Sequence, residues 1–147
     1  MPGLITTLLT NDIFLSILSA VIISQLAKIL IIILKHKQKF NINDLIVTGG
    51  MPSTHSAIVG SLTVIIWLNQ AFSPLFFAVL AFSLITLRDA LGVRRSVGVE
   101  GKIIEKIIKY EKMKISKFHY SLGHSFVEVF VGLIIGFGSA VFSFNLV

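Results

Sequence analysis

No cysteine occurs among the 147 residues, which removes disulfides, thiolate metal sites and cysteine nucleophiles together and leaves the redox compartment unmarked. Charge is scarce: 14% of residues are charged and 54% hydrophobic, with a mean hydropathy of +0.90. That is too little charged surface for an ordinary soluble domain of this length. Internal repeats and low-complexity linkers are missing, so 1–147 reads as a single membrane domain. The first eleven residues lack a basic region and the apolar run after them is too long for a signal peptide, so none is expected.

The cations themselves are confined. Twelve of the thirteen Lys and Arg residues fall in two hydrophilic segments, Lys35 to Gly50 and Arg88 to Gly123. Four apolar stretches separate the hydrophilic segments. Counting crossings puts both basic segments on one side and the N-terminus, the Asn69 to Ser73 turn and the C-terminus on the other. That second side has no Lys or Arg. Basic loops are retained in the cytoplasm, so the expected product is a multi-pass protein of the cell (inner) membrane with both termini outside. Its net charge of +6 suits anionic headgroups at the ends of apolar spans; no nucleic acid partner is expected.

The expected fold class is all-α, an integral membrane bundle of about four transmembrane helices plus one amphipathic interfacial helix. A span takes about 17 to 25 residues, which places the spans near 12–34, 53–69, 71–87 and 124–145. The middle two are short and joined by a tight turn, so they either cross or form a re-entrant hairpin. Over 99–117, Ile103, Ile104, Ile107, Ile108 and Ile115 recur at helical spacing with Lys102, Lys106, Lys109, Lys112 and Lys114 between them, the pattern of a helix lying in the interface. Glu105 and Lys109 add an i, i+4 pair.

Chemistry concentrates at the ends of these spans. In Gly49-Gly50-Met51-Pro52-Ser53-Thr54-His55-Ser56, the glycines permit close backbone approach, Pro52 suits a first helical turn, and Ser53 or Thr54 can cap. The resulting helix N-terminus favours an anion and places His55 as a proton donor. The plainer alternative is a capped helix start with an incidental histidine. At the fourth span, His124 precedes Glu128 by one turn on the same face; a carboxylate on one imidazole nitrogen leaves the other free to attack or take a proton. The alternative is two interfacial residues solvated by headgroups. Gly132 and Gly136 continue that helix as close-packing positions. Lys28 lies two turns before Lys35, with Gln25 as a polar neighbour. Arg88-Asp89 ends the third span, with Arg88 read as a topology-setting charge; Gly92-Val93-Arg94-Arg95 offers guanidinium groups for phosphate, one of which Asp89 is expected to orient.

Together these residues resemble the type-2 phosphatidic acid phosphatase and vanadium haloperoxidase superfamily, and more closely its small divergent branch of integral membrane proteins, marked by a GGMPS-x-HSA-type string, a D-x-x-GVRR segment and a GH-x-x-x-E segment. The resemblance runs from Gln25 to Gly136. Lys28 and Lys35-His36 match the spacing of the superfamily's first motif, with Lys for Arg and His for Pro. Pro52-Ser53-Thr54-His55 matches the second, with Thr for Gly. His124 and Glu128 keep the His-to-carboxylate spacing of the third, but Phe118 stands at its arginine position, so Arg94 or Arg95 would have to supply that guanidinium.

The resemblance implies a phosphohydrolase working through a phosphohistidine without metal or cofactor. It makes His124 the nucleophile, Glu128 its orienting carboxylate and His55 the acid for the leaving oxygen. Lys28, Lys35, Ser53 and Arg94 or Arg95 would hold the non-bridging oxygens, helped by the backbone at Gly50 and with Asp89 and Thr54 in support. The expected substrate is a lipid phosphate monoester or diphosphate met at the cytoplasmic face, with membrane lipids and a second copy of the chain as further partners. Two other readings stand beside it: a catalytically silent lipid- or phosphate-binding protein, for which Phe118 argues, and a small transporter subunit using Lys28 and Glu128 as intramembrane charges.

Overall fold

Three stretches of the chain are long and apolar enough to cross a membrane, Asp12–Leu34, Pro74–Tyr110 and Phe126–Leu146. They belong to an all-helical molecule seen in a computed structural model that describes residues 3–36, 50–111 and 123–147. Its elements are α1 (Leu4–Leu9), α2 (Asp12–His36), α3 (Thr54–Gln70), α4 (Pro74–Leu91), α5 (Val93–Tyr110) and α6 (Phe126–Leu146). The four expected spans correspond to α2, α3, α4 and α6. The structure supports three of them by length and composition; α3, with 17 residues, rises only about 26 Å at 1.5 Å per residue, short of the roughly 30 Å hydrocarbon core.

Local chemistry sets the boundaries. The third span, α4, starts at Pro74, not at Ala71, because Ala71 adopts a positive φ of 49° and Ser73 caps the helix by accepting from the Phe76 N–H at 3.2 Å. Pro74 then takes the first helical turn, where its missing N–H costs nothing. The amphipathic helix begins at Val93, six residues earlier than expected, directly after Gly92. A Cβ on Gly92 would stand 2.9 Å from the Arg88 carbonyl, so the α4–α5 elbow depends on a residue without one. Its expected C-terminal part, residues 112–117, lies outside the described residues.

The hub is α3, which packs against α2, α4 and α6; α2 and α6 also touch, and among the described elements α5 packs on α4 alone. Near one end the core is apolar, with Ile65, Ile66, Phe76 and Ala140 buried together. Elsewhere the helices meet through small polar residues: Ser16, Ser24, Ser53, Ser56, Ser61, Ser139 and Ser143 are all buried. Small side chains let membrane helices approach closely. Leu18, Ile22, Leu26 and Leu30 on α2 and Phe130, Ile134 and Phe137 on α6 remain exposed. Such a surface is what a bilayer solvates and water does not.

Two contacts fix the register. Ser16 Oγ meets Ser61 Oγ at 3.1 Å, and Asn69 Nδ2 donates to Asp12 Oδ2 at 2.5 Å. Thus α2 and α3 run antiparallel, Ser24 lies level with Ser53, and Lys28 lies one turn farther on. α3 and α6 run parallel, because Gly132 lies against Ser53 and Ser56, and Gly136 against Ala57 and Ser61. The starts of α3 and α6 therefore share one end of the bundle with the C-terminal half of α2. The His124 N–H donates to the Ala90 carbonyl at 3.3 Å, which brings the end of α4 there too.

Candidate functional site

At this shared end His124 is buried, only 5% exposed, and its Nδ1 lies 3.1 Å from Glu128 Oε2. With a carboxylate as acceptor, Nδ1 carries the proton and Nε2 is the nitrogen left for chemistry. The same Oε2 accepts from the Ser125 N–H at 3.0 Å, and Ser125 Oγ accepts from the Glu128 N–H at 3.4 Å. This is a capping box. Glu128 thus closes the first turn of α6 and aligns the imidazole with one carboxylate.

The second histidine faces the first. His55 lies in the first turn of α3, exposed and partnered, with its ring 6.3 Å from that of His124 between centroids and tilted by 59°. Ser53 holds this pairing in place. Its N–H donates to the Glu128 carbonyl at 3.0 Å, tying the start of α3 to the first turn of α6. Its hydroxyl accepts from the Ser56 N–H at 3.4 Å and from Ser56 Oγ at 3.0 Å. A hydroxyl has two acceptor sites and one donor, so the uncommitted function of Ser53 Oγ is donation.

Glycine makes the approach possible. A Cβ on Gly132 would collide with the Ser53 carbonyl and stand 3.0 Å from Ser56 Cβ. Gly136 is equally intolerant, since its Cβ would collide with the Ala57 carbonyl and stand 2.7 Å from the Ser61 nitrogen. The two histidines are therefore brought together because two backbones touch at Gly132, two turns after His124 and level with the first turn of α3 that holds His55.

Lys28 supplies the buried charge. It is 7% exposed. Nearby in register, Gln25 Oε1 and Thr54 Oγ1 are buried without a hydrogen-bond partner among the described residues. Gly50 is exposed with φ of +83°, a left-handed conformation that favours glycine, and it leads through Pro52 into Ser53. Asp89 is half-buried and partnered in the last turn of α4.

His124, Glu128, His55, Ser53 and Lys28 are thus gathered at one end, with Thr54 and Gly50 beside them. Lys35 belongs to the last turn of α2, and Arg94 and Arg95 to the first turn of α5, a few residues beyond Ala90, whose carbonyl His124 engages; the side chains of these three lie outside what is described, as does Phe118. Sequence reasoning missed Ser125 and Ser56. The first was visible as Ser-x-x-Glu ahead of an apolar run; the second has no signal apart from its neighbours. Chemically, the cluster offers one oriented imidazole, a facing imidazole, a buried ammonium and a helix N-terminus, a set suited to a tetrahedral anion.

Residues 9–139 match the family described as the divergent PAP2 family, a stretch that contains every residue of this cluster. The chain is also similar to the uncharacterized membrane protein YuiD of Bacillus subtilis (strain 168), 37% identical over 146 residues that cover 88% of this chain and 91% of that protein. No solved structure matches.

Proposed function

This chain belongs to the divergent PAP2 family, and from that premise we propose that it is a membrane phosphatase that hydrolyses a lipid phosphate through a phosphohistidine on His124. One observation carries the reading: His124 is held by Glu128 at 3.1 Å while the ring of His55 stands 6.3 Å away. That arrangement supports an imidazole nucleophile and a facing proton donor on either side of one phosphoryl group.

In the proposed reaction Nε2 of His124 attacks phosphorus, the bond to the lipid oxygen breaks, and His55 gives that oxygen its proton. Water then attacks the phosphohistidine, passes a proton to His55 and releases inorganic phosphate. Charge on the non-bridging oxygens is balanced by Lys28, the Ser53 hydroxyl and the backbone near Gly50. Lys35 and one of Arg94 and Arg95 complete the set, the arginine replacing the one absent at Phe118. Asp89 and Thr54 support the cations and the helix start.

Phosphate release by purified wild-type protein in detergent, measured against phosphatidate, phosphatidylglycerol phosphate and polyprenyl phosphates and diphosphates, tests the proposal. Release should fall by at least about 1000-fold in His124→Ala, the loss of the nucleophile leaving only the charge-stabilising groups. Phe118 favours a second reading, a site that binds lipid phosphate without turning it over. Folded wild type that binds these lipids and releases no phosphate would establish that second reading and sink the first.

A further inference from the structure

The exposed apolar arc of α5 carries an anomaly. Val93, Val97, Ile104 and Ile107 are exposed along it, at the three- and four-residue spacing of one helix face. The lysines Lys102, Lys106 and Lys109 fall on the opposite side, so the helix has the form of one lying in a membrane interface. Glu100 breaks the pattern. It stands three residues after Val97 and four before Ile104, inside the apolar arc, and it is exposed. Its helical neighbours at three and four residues are Ser96, Val97, Ile103 and Ile104, so no cation on its own helix can reach it by those spacings. A carboxylate on a membrane-directed face is costly without a partner.

Across the elbow is the complementary anomaly. Arg88 is an exposed cation in the last turn of α4 that makes no ion pair or hydrogen bond with any described residue. It lines an open groove of about 720 Å³ together with Leu84, Leu91, Gly92 and Val93. A second groove of about 420 Å³ shares Leu91 and Gly92 and is lined on α5 by Ser96, Val99 and Glu100. The two grooves meet at Leu91 and Gly92. Together they present apolar walls, a guanidinium on one side and a carboxylate with a hydroxyl on the other.

We propose that this elbow is a binding site for a phospholipid with a primary-ammonium headgroup, its phosphate on Arg88, its ammonium on Glu100 and an acyl chain along Leu84 and Leu91. Guanidinium groups bind phosphate oxygens in bidentate fashion. A primary ammonium donates three hydrogen bonds to carboxylate and hydroxyl acceptors, which a quaternary ammonium cannot do. A headgroup carrying only negative charge would satisfy Arg88 and be repelled by Glu100. Neither histidine lines these grooves, and binding there does not depend on turnover.

Native mass spectrometry of the full-length protein, titrated with phosphatidylethanolamine, phosphatidylcholine and phosphatidylglycerol, tests this assignment. Wild type should hold phosphatidylethanolamine at least tenfold more tightly than the other two. Glu100→Gln should erase that preference and leave residual binding, while Arg88→Gln should weaken phosphatidylethanolamine and phosphatidylcholine alike. Leu84→Trp, which fills the groove and leaves both charges, should displace the lipid; it stands in for Arg88→Gln if that variant does not fold. His124→Ala should bind as wild type does, whatever becomes of its phosphatase activity. Equal binding of the three lipids, tightest binding of phosphatidylglycerol, displacement by inorganic phosphate, or retention of the preference in Glu100→Gln each overturns the proposal.

Discussion

Glu128 is asked to do two things with one oxygen. Its Oε2 receives both His124 Nδ1 and the Ser125 N–H, so orientation of the imidazole and closure of the α6 start are mechanically the same contact. Glu128→Gln separates them. The amide keeps an acceptor oxygen for one donor but loses the charge that favours an Nδ1–H and stabilises an imidazolium. Phosphate release should drop by about 100-fold or more, within the usual worth of a positioned acid–base partner. Stability should fall by only about 0.5–2 kcal/mol, the cost of weakening a helix cap. Comparing turnover with thermal unfolding of the same purified variant checks the split; a loss of activity that merely tracks loss of folded protein would leave Glu128 with capping alone.

Between elements, the decisive contact is α3 against α6. Gly132→Ala drives a methyl group into the Ser53 carbonyl, on rigid backbone with no side chain to move aside. Overpacking of this kind costs about 1–3 kcal/mol, and here it also displaces the residue that links His55 to Glu128. Gly138 is the internal control, since a Cβ there meets nothing within 4 Å. Gly138→Ala should be neutral or stabilising by up to about 1 kcal/mol through helix propensity, whereas Gly132→Ala should lower both the unfolding temperature in detergent and phosphate release. Equal behaviour of the two variants would contradict the close approach. The glycines were legible in the sequence as a packing pattern, and so were His124 with Glu128 and the start of α3, because each is a local spacing. The partner of Gly132 was not, since which backbone it touches is settled by a residue some eighty positions away. The start of α5 was hidden for another reason. Gly98 and Gly101 dilute its first turns, so amphipathic spacing becomes plain only after Val99.

At the scale of the molecule, α6 rises about 31 Å over its 21 residues, enough to cross the roughly 30 Å hydrocarbon core. α3 is shorter and starts deeper. Ser53 lies level with Gly132, six residues into α6, so the first turn of α3 sits about 9 Å below the start of α6. Among the described residues, a helix N-terminus sunk that far would leave a polar recess on the headgroup side, and the resulting 17-residue helix is too short for hydropathy to mark as a span. The side on which the recess opens follows from charge. Arg88, Lys102, Lys106 and Lys109 all lie on α5 or at the end of α4 nearest it, while Asp12 and Asn69 mark the opposite end. Basic loops stay in the cytoplasm, so the recess should open there and act on inner-leaflet lipid. Because the chain has no native cysteine, single substitutions report position without background. Phe72→Cys, at the α3–α4 turn, should react with a membrane-impermeant maleimide in intact cells, and Lys109→Cys only after lysis. The reverse pattern would turn the recess outward and move the substrate to the outer leaflet. Labelling of both from one side would mean that α3 and α4 enter and leave by the same face, which would break the crossing count while leaving the histidine pair where the α3–α6 contact holds it.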